Sequence, residues 1–163
     1  MSTTTEPTEA TDVVDPTSFA PGHIGLNVTD LDRSVAFYRA TFGFDLLGDG
    51  HDGDRRWAFL GADGQLLVTL WQQAAGRFAA GVAGLHHLSF QVASIDDVRA
   101  AEVRLRALGA PFAYDGVVPH GEGMPSGGIF FEDPDGIRLE IFTATGADGA
   151  AAPHAAAPSC GLF

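Results

Sequence analysis

The amino-acid sequence predicts an α+β protein built from two tandem βαβββ modules. Three observations lead there. The chain nearly repeats itself, with GHIGLNVTDLDRSVAFYRATFGF from Gly22 answered by HHLSFQVASIDDVRAAEVRLRALGA from His86. Each copy is a short alternating strand, a cap, an amphipathic helix and a glycine stop. Each is followed by three strand-like runs separated by turn residues. One such half buries little surface alone, so two must pack together, within a chain or between chains.

Residues 1–20 lack periodicity and carry only acidic charge, which predicts a flexible arm. The domain follows as module one over 21–75 and module two over 84–143. In module one, Leu31, Val35, Tyr38 and Phe42 recur at helical spacing before Gly43. Strands are expected at 44–48, 56–61 and 65–71, with GDGHDGD as a hairpin turn. In module two, Ser94 and Asp97 have capping-box spacing, and Ile95, Val98, Leu105 and Leu108 form the apolar stripe that Gly109 ends. Strands are expected at 112–118, 127–132 and 137–143, with EDPDG as the last turn. Residues 144–163 read as an Ala/Gly/Pro-rich tail ending in SCGLF.

A formal net charge of −12 and a pI near 4.6 make nucleic acid and anionic membrane surfaces poor partners. All 9 basic residues are arginine, which excludes Schiff-base chemistry and a P-loop lysine. The single cysteine, Cys160, forbids an intrachain disulfide and fits a reducing cytoplasm. No apolar run approaches the roughly 18 residues of a membrane span, and no export signal is seen. The expected partner is a small molecule bound by a cytoplasmic homodimer.

The repeat permits a face-by-face comparison of the strands. Ile24, Leu26 and Val28 correspond to Leu88, Phe90 and Val92, all suited to packing against helices. The alternate positions, His23, Gly25 and Asn27 against His87, Ser89 and Gln91, are small or polar. In the last strand Leu139 and Ile141 suit the helix side, while Arg138, Glu140 and Phe142 point the other way. A sheet with helices on one side and polar groups on the other is a cup. His23, His87 and Glu140 fall inside it, and two imidazoles with one carboxylate are the ingredients of a facial metal site. Fe(II), Mn(II), Ni(II) or Zn(II) suit that donor set, with positions left open for substrate. His86, of opposite parity to His87, is expected to be dispensable for metal.

These residues resemble the vicinal oxygen chelate superfamily, the glyoxalase, bleomycin-resistance and extradiol dioxygenase group. GHIGLNVTDLDRSVAFYRATFGF resembles its module opening and FFEDPDGIRLEIF its module ending, so that the likeness spans about residues 22–143. The resemblance implies paired modules around a metal-centred cup, with His23, His87 and Glu140 as ligands. It leaves open whether His23 meets His87 within one chain or across a swapped dimer. Counting four residues past Gly64, as Glu140 lies four past Gly136, puts Val68 where glyoxalase I and methylmalonyl-CoA epimerase carry a fourth ligand. Valine there counts against both activities.

Two branches share the His, His, Glu pattern. Extradiol dioxygenases hold Fe(II) or Mn(II), chelate a vicinal diol and activate O₂; their usual tyrosine is replaced here by Phe130. His120, on a glycine-rich loop, is near their catalytic histidine and is the candidate proton-transfer group. Fosfomycin-resistance thiol transferases usually carry a lysine, which this chain lacks, although Arg56 and Arg138 are expected to face the cup. Asn27, Arg56, Ser89, Gln91, Phe130, Arg138 and Phe142 are the expected pocket residues. Trp57, Phe59 and Trp71 are expected on the helix-packing face and His51 and His154 in solvent; Cys160 invites a lid or ligand role, with SCGLF docked over a pocket, but a lone tail cysteine is usually neither. The favoured reading is an extradiol-type dioxygenase with Fe(II), acting on a small oxygen-rich or aromatic molecule. The alternatives are a thiol transferase or isomerase/lyase at the same site, and a drug-sequestering protein without catalysis.

Overall fold

The computed structural model describes residues 21–154 and 156–161, so the expected arm over 1–20 lies outside the described residues. Module one runs β1 (Ile24–Val28), α1 (Leu31–Phe42), β2 (Asp45–Asp52), β3 (Arg55–Ala62) and β4 (Gln65–Gln72). Module two runs β5 (Leu88–Gln91), α2 (Ile95–Ala107), β6 (Val118–Pro119), β7 (Gly127–Glu132) and β8 (Arg138–Thr143). Each forms a four-stranded sheet with the same order, β1-β4-β3-β2 and β5-β8-β7-β6. The first strand lies parallel to the last in both, and the other pairs are antiparallel. The chain is therefore α+β, with two βαβββ units.

Local chemistry sets the helices. Asp30 caps α1 by accepting from the Arg33 N–H at 3.0 Å, and Gly43 ends it in the left-handed region at φ 73°. Ser94 and Asp97 form the expected reciprocal capping box on α2. The buried face of α1 is Leu31, Ser34, Phe37, Tyr38 and Thr41, wider than its aliphatic spacing alone implied. Leu108 is 47% exposed as the C-cap of α2, so it leaves the stripe that Val98, Ala101 and Leu105 complete.

Three strand boundaries differ from expectation. The β2–β3 hairpin extends to Asp52, so GDGHDGD is mostly strand and His51 is an exposed strand residue rather than a turn. The expected strand at 112–118 shrinks to an isolated Phe112–Phe131 bridge and the two-residue β6, because the segment between peels away from β7. In β4 the pairing passes from Leu60–Val68 to Gly61–Leu66, leaving Leu67 as an extra, bulged residue. That one residue changes the count along the strand. Gly25, the counterpart of Ser89, pairs with Thr69, whereas Ser89 pairs with Glu140. Thr69 is therefore the module-one equivalent of Glu140, in place of Val68, which is buried on the helix side.

Both helix-side faces feed one core: Leu26, Val28, Leu60 and Leu70 from module one share a cluster with Leu88, Val98, Leu105, Leu139 and Ile141 from module two. Phe42 and Phe44 of module one close on Phe90, with ring centroids 4.4 and 5.8 Å apart. A buried polar brace adds to this. Asp135, from the turn before β8, accepts from the Thr29 N–H at 2.9 Å and hydroxyl at 2.5 Å, and pairs with Arg33 at 2.7 Å. Asp133, 1% exposed, accepts from the Asp135 and Ile137 amides at 2.8 Å and from the Tyr38 hydroxyl at 3.2 Å. The EDPDG turn thus grips the residue leading into the neighbouring module's helix and one side chain of its first turn, as well as turning its own strand. Since both sheets give one face to this shared core, their other faces point away from it.

Candidate metal and catalytic site

Glu140 sits on the outward face of β8 and is 3% exposed. Two imidazoles face its carboxylate: His120 Nε2 lies 2.6 Å from Oε1, in hydrogen-bond contact, and His87 Nε2 lies 3.4 Å from Oε2. His120 follows β6, and its amide donates to the Ser126 carbonyl at 2.9 Å, fixing the loop that carries it. A carboxylate only accepts, so His120 Nε2 carries the proton, and in the neutral ring Nδ1 accepts from the Ser126 hydroxyl 2.9 Å away. His120 was read as a loop residue bordering the cup; the geometry brings it into direct contact with Glu140.

His87 immediately precedes β5. Burial pushes its imidazole below the ordinary histidine range, Glu140 opposes that shift, and the neighbouring His86 adds to it. At neutral pH the ring is uncharged, the form that offers a lone pair to a metal. Its Nδ1 is 2.8 Å from Nδ1 of His86, so one ring must donate and the other accept. For His87 to present a bare Nε2, the proton must sit on Nδ1 and be accepted by His86. His86, expected to be a bystander, is thus placed to set its neighbour's tautomer and ring orientation. His86→Ala is expected to keep divalent metal but to weaken its affinity by about tenfold; titration of Mn(II) into wild type and variant checks this.

An open cavity of ≈ 610 Å³ surrounds the trio, lined among others by Ser89, Met124, Phe142 and the tail residues His154, Pro158 and Cys160. Phe130 shares the strand face of Ser89 and Phe142 but is fully buried beneath Tyr114 and His120, at ring distances of 5.5 and 6.2 Å, so it is floor and not lining. Arg138 is half-buried on the Glu140 face of β8, and Gln91 is exposed beyond Ser89. His154 is half-buried with its ring 6.1 Å from that of Tyr114, not in open solvent.

Module one departs further from expectation. Arg56 does not face the cup: it makes a two-pronged pair with Asp32 of α1 at 2.7 and 3.0 Å. Ala58 and Leu60 hold the helix-side positions of β3, which turns Trp57 and Phe59 to the cup face together with Trp71 of β4. All three were expected on the helix-packing face from strand parity, and the structure puts them on the opposite one. Their rings cluster at 6.0 and 6.3 Å, and Trp71 Nε1 donates to Thr69 Oγ1 at 3.1 Å. Asn27 is exposed on the same face and accepts from Gln73 at 2.8 Å. His23 is exposed at the start of β1. Among the described residues no three His, Cys, Asp or Glu side chains form a ready metal-binding group. The structure brings His87 and Glu140 together but does not bring His23 to them within one chain.

The model of the Glyoxalase/Bleomycin resistance protein/Dioxygenase superfamily matches residues 20–141. The chain belongs to that superfamily. Among solved structures it is similar to a glyoxylase/bleomycin resistance protein/dioxygenase domain from Frankia sp. EAN1pec. That pair share 29% identity over 77% of this chain and 98% of the other, with a TM-score of 0.66. The fosfomycin resistance protein FosX from Listeria monocytogenes, complexed with Mn(II) and sulfate, shares the fold at 22% identity. The match covers 80% and 96% of the two chains, with a TM-score of 0.59. FosX from Mesorhizobium loti does so at 19% identity over 75% and 89%, with a TM-score of 0.55. A search of curated proteins found no match. Superfamily membership agrees with the two-module architecture; among the described residues no helix is long and apolar enough to cross a membrane.

The tail and the aromatic cup face were the features missed from sequence. The signal for the first was GG at 127–128, a glycine pair inside a strand, which marks close approach of another backbone. The signal for the second was the small residues Gly48 and Gly50 on β2, opposite Phe59 and Trp57. A Cβ on Gly50 would lie 2.6 Å from the Trp57 ring, so the glycine makes room for it.

Proposed function

We propose that the protein is a metal-dependent enzyme of the extradiol-dioxygenase type, acting as a homodimer. Its divalent metal would be held by His87 and Glu140 of one chain and His23 of a second copy. The observation that carries this reading is the placement of the donors. His87 and Glu140 stand on an outward sheet face, while His23 stands on the corresponding face of the other module, and the shared helix core lies between the two sheets. A second copy that sets its module one against this module two completes the donor set, and symmetry then makes two such sites.

The donors fit such an ion. Glu140 is a buried carboxylate with imidazole nitrogens at 2.6 and 3.4 Å, and nitrogen and carboxylate oxygen suit Fe(II) first, with Mn(II), Ni(II) or Zn(II) as alternatives. Held by His87, Glu140 and His23 of the second copy, Fe(II) would supply Lewis-acid and redox chemistry at the open positions of the site. The chain supplies the rest. His120 holds a proton at Nε2 beside Glu140 and is placed to exchange it with a substrate hydroxyl. Phe142 borders the cavity, and Trp57, Phe59 and Trp71 give the partner's half-cup an aromatic face. A planar, oxygen-bearing ring matches both halves.

The second reading is epoxide opening or thiol transfer of the fosfomycin-resistance kind, favoured by the fold shared with FosX proteins, one of them solved with Mn(II) and 1S,2S-dihydroxypropylphosphonic acid. Against it, the chain has no lysine, and Arg56 is committed to Asp32, which leaves Arg138 as the cup-face cation on β8. Oxygen uptake decides. Fe(II)-loaded protein is expected to consume O₂ with a simple catechol, and to lose that activity on His120→Ala. No uptake across a catechol panel, with Mn(II)-dependent turnover of an epoxide phosphonate, gives the site to the second reading. Tight binding of an aromatic drug without metal would point instead to sequestration.

A further inference from the structure

The tail beyond β8 was expected to be a low-complexity linker. Instead it returns across the cavity. Gly146 turns the chain at φ 95°, and the Ala147 amide donates to the Pro125 carbonyl at 2.9 Å. Ala147 is buried over Gly127, where an added Cβ would come within 2.6 Å of its methyl and 2.5 Å of the Val118 carbonyl. A side chain at 127 is therefore incompatible with the tail's path. The last element among the described residues is a short 3-10 turn, Ser159–Gly161, and Ser159 is fully buried. Its amide donates to the His120 carbonyl at 3.0 Å, its hydroxyl donates to the Pro119 carbonyl at 2.6 Å, and its carbonyl accepts from the Tyr114 hydroxyl at 2.9 Å. Cys160, next in sequence, lines the cavity that holds Glu140.

These contacts converge on Pro119 and His120. We propose that the C-terminal segment is a latched wall of the cavity: Ser159 fastens it, and in doing so holds His120 against Glu140. Between Ala147 and Ser159 the tail is mostly alanine, glycine and proline, with little side chain to bury. The Ala147 amide and the Ala152 amide, which donates to the Glu122 carboxylate at 3.4 Å, hold its near part, and the three hydrogen bonds at Ser159 fasten its far end over the cavity. The wall bounds the substrate on the side away from the β5 edge, since β6 and β5 are the two margins of the module-two sheet. Ser159 is a positioning residue in this scheme, acting through the backbone of His120. Its influence on turnover rests on the enzyme reading above; the latch itself does not.

Cys160 is the chain's single cysteine and reports on the latch directly. Cys160 is half-buried in the closed cavity, so alkylation of full-length protein by iodoacetamide, followed by mass, rises above the wild-type rate as the wall opens more often. Ser159→Ala and Tyr114→Phe are each expected to speed alkylation roughly fivefold or more, because each removes a bond that holds the wall shut. In both variants the imidazole NMR signals of His120 should move, while those of His51 in module one stay in place. Rates within about twofold of wild type in both variants would overturn the latch, since a broken buried hydrogen bond costs more than that. Static His120 signals would overturn its positioning role. If Ser159→Ala does not fold, Tyr114→Phe decides, because that half-buried residue loses a single oxygen. Alkylation needs neither metal nor substrate, so a failed latch leaves the metal reading standing, and a failed metal site is registered separately by Glu140→Ala.

Discussion

Glu140→Ala is expected to abolish stoichiometric binding of divalent metal, lowering affinity by more than about a hundredfold, because even outer-shell partners of a metal ligand are worth ten- to a hundredfold. The folded chain should survive. Glu140 points away from the shared core, and its partners are the two imidazoles of the cavity. Metal added to wild type should raise the thermal midpoint, since a ligand that binds only the folded state stabilises it by mass action. The variant should lose that rise while its metal-free midpoint stays close to wild type. His87→Ala should behave alike. Full metal occupancy in both variants would discard the site.

Mixing two inactive variants is expected to rebuild activity. If His23 of one copy meets His87 and Glu140 of another, His23→Ala and His87→Ala homodimers each lack a complete donor set. A mixed dimer contains one site with both defects and one with neither. Random reassociation makes half the dimers mixed, so metal content should recover to about one quarter of wild type. Were the three donors drawn from a single chain, no mixture would restore any metal. Unfolding and refolding the two variants together, followed by metal analysis, reads the difference.

Much of the fold was legible because its signals are local and repeated. Capping residues at Asp30 and Ser94, the glycine stop at Gly43 and the alternation of the first strands act within one turn or one pleat. The pairing of His87 with Glu140 followed from the same alternation, since parity alone puts both on one face. What parity could not supply was register. Leu67 bulges out of β4, and the slip moved the expected fourth position from Val68 to Thr69. The tryptophans misled for a related reason. Parity along β3 was assigned to the wrong face, since Ala58 and Leu60 occupy the helix side. Long-range contacts were the least visible. Nothing near Ser159 in sequence announces that its partners are Tyr114, Pro119 and His120, since those bonds join segments about 40 residues apart.

The EDPDG turn has a mechanical consequence. Asp135 and Asp133 are tied to Thr29, Arg33 and Tyr38, while on the shared core the Phe90 ring closes on Phe42 and Phe44. A rotation of one module against the other would have to break a buried polar cluster and an aromatic one together, which makes a hinge between them costly. The chain therefore behaves as a stiff strut with a half-cup mounted at each end. Any widening of the cavity then falls to the parts that carry little weight, the glycine-rich turn after His120 and the tail over it, rather than to an opening of the two modules like a clam.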